Sequence, residues 1–386
     1  MEAANTPLRI LLLGDYAPDP QLGSSKVYYK LHEELTRLGH MCDVMLGPDL
    51  GVHPRQPKIR WAAAPVLAAR AVARTRTTYD VIDVASAEGS VLGLRAALTA
   101  GARPAIVSRS HGLEHRNYER LLEDHAAGLT RKGWPRRWWY PAARLSQVAM
   151  AARLADRMIV LSAGDAEFVV ARGWKARDRI DVIPHGVSER FLASAPPAGG
   201  RRGSGLLFCG TWDDVKGSHY LAAAFSDLIN RMPSARMTVL GAARPPEYVL
   251  SQFSPEARPA VTVLPRVPED AVMQHYRAHD ALVVASTYEG FGMVILEAMS
   301  QRLPVISTPV GCAPALIRDG ESGLLVRPRS PEDLAAAMAR VLGDAELRER
   351  LANAAYPLAA AHTWARTAAQ TVQAYRAAMV ARGGVS

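Results

Sequence analysis

The chain has 386 residues, 49% of them hydrophobic, and a formal net charge of +9. That length holds two domains of ordinary size with a core in each. Cys42, Cys209 and Cys312 are odd in number, far apart and without a CxxC pair, which argues against a disulfide framework or zinc site and suits buried free thiols in a reducing cytoplasm.

No segment reaches the ~18 consecutive apolar residues of a transmembrane helix. The run Ile10 to Leu13, behind Glu2, is too short for a signal peptide and reads as a first strand. Charge is uneven: residues 1–195 hold 27 Lys and Arg against 20 Asp and Glu, and residues 196–386 hold 19 against 17. The basic excess, and with it an anionic partner, falls on the first half. Heavy use of Ala and Arg points to a GC-rich bacterial genome.

Arg9 to Gly14 is an apolar strand closed by glycine. Gly23–Ser24–Ser25 precedes a helix from Lys26 to Leu38, which Gly39 stops, and Met41 to Leu46 is the next strand. This β-loop-α-β opening belongs to a parallel sheet, and without GxGxxG it lacks the dinucleotide fingerprint. Val66 to Arg76 reads as a basic helix, and Tyr79 to Val84 and Ala105 to Ser108 as strands. His111 and Glu114 stand just past the second of these strands; a lone His there is most often a structural hydrogen-bonder.

His125 to Arg157 sets Arg131, Lys132, Arg136, Arg137, Arg144, Arg153 and Arg157 against Asp156 alone, interleaved with Trp134, Trp138, Trp139 and Tyr140. Basic residues mixed with Trp and Tyr suit an anionic membrane surface. A solvated face with Trp packed on a neighbouring helix carries equal weight, and nucleic acid is disfavoured because no other motif for it is present. Asp156 to Ser162 and Arg179 to Val187 contain the last strands of the half, and Ala193 to Gly205, small and rich in Pro and Gly, reads as a linker.

The pattern then restarts. Leu206 to Gly210 is a strand ending in glycine, Thr211 to Val215 a loop, and Lys216–Gly217 leads into a helix from Tyr220 to Asn230. Met237 to Gly241 and Ala260 to Leu264 are strands, Glu269 to Ala278 a helix, and Ala281 to Ala285 a buried strand. Gly290–Phe291–Gly292 opens a helix, Met293 to Gln301, at the carboxyl end of that strand, where open α/β sheets bind ligands and where a helix N-terminus favours an anion. Glu289 lies in the loop. Glu297 lies in a segment otherwise apolar, so it needs a partner: a ligand hydroxyl, a backbone cap or an arginine. Pro304 to Ser307 is a strand, Pro331 to Leu342 a helix, and Trp364 to Ala381 a last helix.

Glu289–Gly290–Phe291–Gly292, Glu297–Ala298–Met299 and Leu303–Pro304–Val305–Ile306 stand in one unbroken block that resembles the donor-site signature of retaining, group-one (family four) glycosyltransferases of the GT-B fold. The resemblance covers nearly the whole chain and is more specific in the second half. It implies two Rossmann-like domains facing each other across a cleft: residues 1–192, which bind the acceptor, a linker at 193–205, and residues 206–363, which bind the nucleotide sugar. Residues 364–386 would form a helix crossing back to the first domain. It implies that Glu289 and the amides of Gly290, Phe291, Gly292, Met293 and Val294 face the donor sugar, and that Glu297 accepts hydrogen bonds from ribose hydroxyls. It also implies that His111 faces the sugar, with Glu114 on the acceptor side, that the loop at Gly23 approaches the donor phosphates, and that Lys216 binds the diphosphate after Gly210.

The chain departs from the pattern at several positions. Thr211 stands where the family has an Arg, for which Arg266, placed near the base, is a candidate substitute; Lys216 keeps a point charge but not the fork of Arg. One glycine, Gly23, stands where two are common, His185 where Asn is usual, and Cys312 and Ala315 where Gly and an acid are common. A surface Lys remains the plain alternative for Lys216.

The expected activity is that of a metal-independent hexosyltransferase with His111, Glu289 and Lys216 as catalytic residues, no cofactor, and a nucleotide-diphosphate sugar as co-substrate. The acceptor would be a glycan or lipid-linked molecule in bacterial surface polysaccharide or glycolipid synthesis. Arg136, Arg137, Trp138 and Trp139 would meet the inner face of the cell membrane. A non-catalytic subunit of the same fold, motivated by Thr211, Cys312 and Ala315, and a nucleotide-sugar epimerase are the rivals; the missing GxGxxG disfavours a nicotinamide oxidoreductase.

Overall fold

The computed structural model describes residues 6–20, 23–51, 57–99, 101–128, 139–199 and 203–383. Two compact units divide the chain, one running to His185 and resuming at Trp364, the other spanning Gly186–Thr363. In the first, β1 (Arg9–Leu13), α1 (Gly23–Arg37), β2 (Met41–Met45), α2 (Pro57–Arg74), β3 (Val81–Ala85), α3 (Gly89–Leu98), β4 (Ala105–Arg109), α4 (Glu114–Ala126), α5 (Ser146–Leu154), β5 (Arg157–Val160), α6 (Ala163–Ala171) and β6 (Ile180–Val182) follow one another. All six strands run parallel in the order β2-β1-β3-β4-β5-β6. Helices cover the sheet, so its strands are nearly continuous apolar runs; Leu11, Leu12, Val84 and Ile159 are fully buried.

The second unit comprises α7 (Glu189–Ala193), β7 (Leu206–Cys209), α8 (Ser218–Arg231), β8 (Met237–Leu240), α9 (Pro246–Leu250), β9 (Val261–Leu264), α10 (Glu269–Ala278), β10 (Ala281–Val284), α11 (Met293–Ser300), β11 (Val305–Ser307), α12 (Ala313–Leu316), β12 (Leu324–Leu325), α13 (Pro331–Gly343) and α14 (Ala345–Ala360). Its parallel sheet has the order β12-β11-β10-β7-β8-β9. From β7 the chain winds outward through β8 and β9. It then returns to β10, on the other side of β7, and winds the other way. The carboxyl ends of β7 and β10 therefore flank a topological switch point, the place where open α/β sheets leave a crevice.

The last helix, α15 (Trp364–Gly383), returns to the first unit and packs on α1, β4 and β5. A buried ion pair pins it: Arg109 Nε donates to Asp83 Oδ2 (2.8 Å), Tyr375 donates to the same oxygen (2.6 Å), and Arg109 Nη2 donates to Thr371 (3.2 Å).

Two boundaries differ from the sequence reading. Residues 186–192, expected in the first domain, pack with the second unit, because Phe191 is buried beside Tyr276 and its carbonyl accepts from Gln301. The far end of the expected linker is likewise held there, since the Asp280 carboxylate accepts the N–H groups of Gly203 (3.0 Å) and Gly205 (2.9 Å). Helix α2 begins well before Val66 and accommodates Pro65 inside it. Among the described residues no helix is long and apolar enough to cross a membrane.

Candidate active site

At the switch point of the second unit two loops interlock. The loop after β7 passes Gly210 and the buried Trp212, and the Asp213 carboxylate accepts the N–H of Lys216 (3.0 Å). Gly217, at φ +67°, then starts α8. A Cβ on Gly217 would lie 2.0 Å from the Ala285 carbonyl oxygen, so only glycine lets this loop lie against the end of β10. Thr287, in the loop after β10, answers by donating its N–H to the Val215 carbonyl (2.8 Å).

That contact brings two charged side chains together across the two loops. Lys216 Nζ donates to Glu289 Oε1 (2.7 Å) and Oε2 (2.8 Å), and Ser286 Oγ donates to Oε1 (2.8 Å). The Glu289 side chain is 8% exposed and that of Lys216 30%, so the carboxylate is seated while the ammonium faces outward. Behind Glu289 the chain turns through Gly292, at φ +82°, into α11. The first N–H groups of Met293 and Val294 have no intrahelical acceptor, which makes this edge receptive to an anion. The turn is braced from behind: Cys312 donates its N–H to the Phe291 carbonyl (2.6 Å), and a Cβ on Gly311 would come 2.3 Å from that same oxygen. Burial, with Glu289 adding to it, pushes the Cys312 thiol well above its usual range.

Glu297, one face further along α11, is buried and accepts from the Tyr276 hydroxyl (3.1 Å). Burial first, then the charges beside it, raises the Tyr276 phenol well above its usual value, so it stays a donor. Thr211 is half-buried beside Gly210. Arg266 follows β9, at the same carboxyl edge but on the sheet's outermost strand, with β8 between it and β7; its side chain is exposed.

The other predicted residues lie in the first unit. Gly23 opens α1, rather than preceding it. His111 sits past β4 with its ring 5.5 Å from that of Tyr16, 5.1 Å from Tyr28 and 5.9 Å from His185. Burial, with Arg109 adding to it, lowers its pKa to about 3, so the imidazole is neutral. Both of its ring nitrogens are buried with no hydrogen-bond partner among the described residues. Glu114 accepts from Tyr140 (2.8 Å), Ser86 (2.7 Å) and Arg144 (3.0 Å). Arg144 also donates to Glu88 (2.7 Å), so this member of the basic segment is spent inside the unit. The Trp139 ring lies 6.0 Å from that of Trp61 and is half-buried. Arg136, Arg137 and Trp138 lie outside the described residues.

Sequence reasoning missed Ser286, Asp213 and Tyr276, which hold the charged groups in place. Ser286 and Asp213 each stand three residues before the group they serve, a spacing typical of local turns. Nothing local connects Tyr276 to Glu297. Among the described residues no three of His, Cys, Asp or Glu are grouped as a metal site needs.

Two parallel α/β units, each with helices on both faces of its sheet, make this a GT-B fold. The structure superposes with sucrose-phosphate synthase of Thermosynechococcus elongatus at a TM-score of 0.76, 21% identity and coverage of 95% of this chain and 98% of that one. For Anabaena HepE, crystallised with UDP and glucose, the TM-score is 0.68 at 17% identity over 95% and 98% of the chains. Residues 203–344 match the family described as group 1 glycosyl transferases and residues 23–191 that of glycosyltransferase family 4. The chain is 31% identical to the D-inositol 3-phosphate glycosyltransferase of Corynebacterium urealyticum over 70% of its own length and 73% of that protein's. It is 33% identical to that of Nocardia farcinica over 58% of its length, and spans 53% of that relative. The chain belongs to the group 1, family 4 glycosyltransferases.

Proposed function

We propose that the protein transfers a hexose from a nucleotide-diphosphate sugar to a glycan or lipid-linked acceptor, with retention of anomeric configuration and without a metal ion or cofactor. The observation that carries this reading is the Lys216–Glu289 pair at the N-terminal end of α11, which sets a cation for a phosphate beside an acceptor for sugar hydroxyls. In this reading the donor diphosphate draws Lys216 off Glu289 and lies against the N–H groups of Met293 and Val294. Glu289, freed of its cation, accepts hydrogen bonds from sugar hydroxyls, and Glu297 accepts them from the ribose. Gly210 and Gly292 let backbone approach the ligand, and Arg266 supplies the second cation that Thr211 cannot. His111, neutral and with no hydrogen-bond partner among the described residues, would offer a hydrogen bond to the sugar.

As the bond from the anomeric carbon to the β-phosphate oxygen breaks, charge builds on the leaving diphosphate, where Lys216 and the helix N-terminus stabilise it. The acceptor oxygen bonds to the anomeric carbon on the same face and gives its proton to the leaving phosphate. A thermal-shift screen against UDP-, ADP- and GDP-sugars tests the donor step, since a ligand that binds the folded state alone raises its melting temperature. No stabilisation and no release of nucleoside diphosphate with any of them would defeat the reading.

A phosphorylated inositol as acceptor is the second reading, favoured by the names of the curated relatives. Against it stands Arg144, which already pairs with both Glu88 and Glu114 and so is not left over for a phosphate. Product analysis with inositol 3-phosphate and with a neutral glycan separates the two. The site of action we infer is the cytoplasmic membrane face in bacterial surface polysaccharide or glycolipid synthesis, supported by the basic aromatic segment. Co-sedimentation with anionic vesicles, lost in moderate salt and weakened by Trp139→Ala, is the expected result; binding that ignores both would remove this part.

A further inference from the structure

A cavity of about 500 Å³ in the second unit is lined by none of the residues of the candidate active site. Among the described residues three arginines reach it: Arg277 from the last turn of α10, Arg302 just past α11, and Arg348 from the first turn of α14. It lies at the amino edge of the sheet, because Asp280, which precedes β10, holds Arg348 Nε at 3.5 Å. The Lys216–Glu289 pair stands at the opposite, carboxyl edge, so α11 runs from one place to the other.

The charge there is positive and fixed in place. Among the described residues Glu349 is the one acid in the cavity's lining, and the nearby Asp280 accepts from two backbone N–H groups. The Arg302 guanidinium lies 4.1 Å over the Tyr356 ring and gives Nη1 to Asn353 Oδ1 (2.9 Å). Arg348 spends Nη1 on the carbonyls of Val341 (2.7 Å) and Leu342 (3.0 Å), and Nη2 has no hydrogen bond among the described residues. Arg277 gives Nε to Gln301 Oε1 (2.8 Å), and its two terminal amino groups have none among the described residues. Guanidinium donors held in advance, with spare N–H groups on Arg277 and Arg348 among the described residues, match the several oxygens of a phosphoryl group, more than one carboxylate can satisfy. Pro196, Pro197 and Ala352 supply an apolar wall, and the volume lies within the roughly 300–1,000 Å³ of small-molecule pockets.

We propose that this cavity is a second ligand site, which takes a small phosphorylated metabolite with its phosphoryl group on Arg277, Arg302 and Arg348 and its ring against Pro196 and Pro197. The site holds whether or not the protein transfers sugar. The test is calorimetric titration of the full chain with a hexose 6-phosphate and with inorganic phosphate, in the wild type and in Arg277→Gln, Asn353→Glu and Lys216→Ala. Asn353 is exposed, so Asn353→Glu sets a carboxylate on the Arg302 fork without disturbing the core. Saturable binding of the hexose phosphate is expected, tighter than that of phosphate alone. It should weaken by about tenfold or more in Arg277→Gln and Asn353→Glu and stay unchanged in Lys216→Ala. Should Arg277→Gln melt early, Asn353→Glu gives the same reading on a folded protein. Absence of saturable binding by either probe, wild-type binding in Asn353→Glu, or loss in Lys216→Ala, which would put the probe on the donor edge, overturns the proposal.

Discussion

Lys216 places its ammonium 2.7 and 2.8 Å from the two carboxylate oxygens of Glu289, across the switch point between β7 and β10. Each group neutralises the other, and in the proposed reading the donor draws them apart. If the pair acts as proposed, Lys216→Ala and Glu289→Gln each lower turnover by about 10²–10³, the loss typical of removing one stabilising donor from a transition state. The double variant should lose far less than the product of the two, because residues acting as a unit are not additive. Initial rates of the four proteins with one donor check this, and full additivity would show that the two act apart.

Gly217 separates sterics from backbone strain. It and Gly320 both have positive φ, +67° and +74°, but a Cβ on Gly320 meets nothing within 4 Å, whereas on Gly217 it meets the Ala285 oxygen at 2.0 Å. Gly320→Ala should cost about 1–2 kcal/mol, the strain of the left-handed conformation alone. Gly217→Ala should cost clearly more and reduce donor binding, since the two loops must part. Urea titration and donor affinity measured on both variants test the difference.

The buried pair of Asp83 and Arg109 is fully shielded from solvent. Arg109→Leu leaves the Asp83 charge without its cation and should cost about 3–5 kcal/mol. Tyr375→Phe removes a hydrogen bond to that carboxylate and should cost about 1–3 kcal/mol. Denaturant midpoints give both; equal values for the two would contradict the ranking of the charge pair above the hydrogen bond by which Tyr375 ties α15 to it.

His111 makes acid stability measurable. Its folded pKa of about 3 lies below the ordinary 6.5, so between those values the unfolded chain binds a proton that the folded one refuses. Stability therefore rises with pH through this window and is lost as pH falls, by up to about 1.4 kcal/mol per unit for each such group. His185, pushed down by burial and then by His111 and Arg109, adds to the slope. His111→Gln should flatten the dependence of unfolding free energy on pH between 6 and 4 by roughly one proton's worth.

The strands, most of the helices and the site loops were legible in the sequence because the signals are local. Apolar runs ending in glycine mark buried parallel strands, as at Leu206 to Gly210, and the block from Glu289 to Glu297 carries its family resemblance in consecutive residues. Local signals also mark Glu289, in the loop after a strand, and Glu297, in an apolar helix, as residues to suspect, and the family resemblance adds Lys216. Only the tertiary structure decided what they touch. The meeting of Lys216 and Glu289 depends on β7 and β10 becoming neighbours, an outcome of how the chain winds, and the donor to Glu297 arrives from Tyr276 on another helix. The basic segment shows the same limit, since a count of charges cannot tell that Arg144 turns inward between Glu88 and Glu114. Pattern along a chain reports what each residue prefers, whereas partners are set by long-range packing, which one sequence does not spell out.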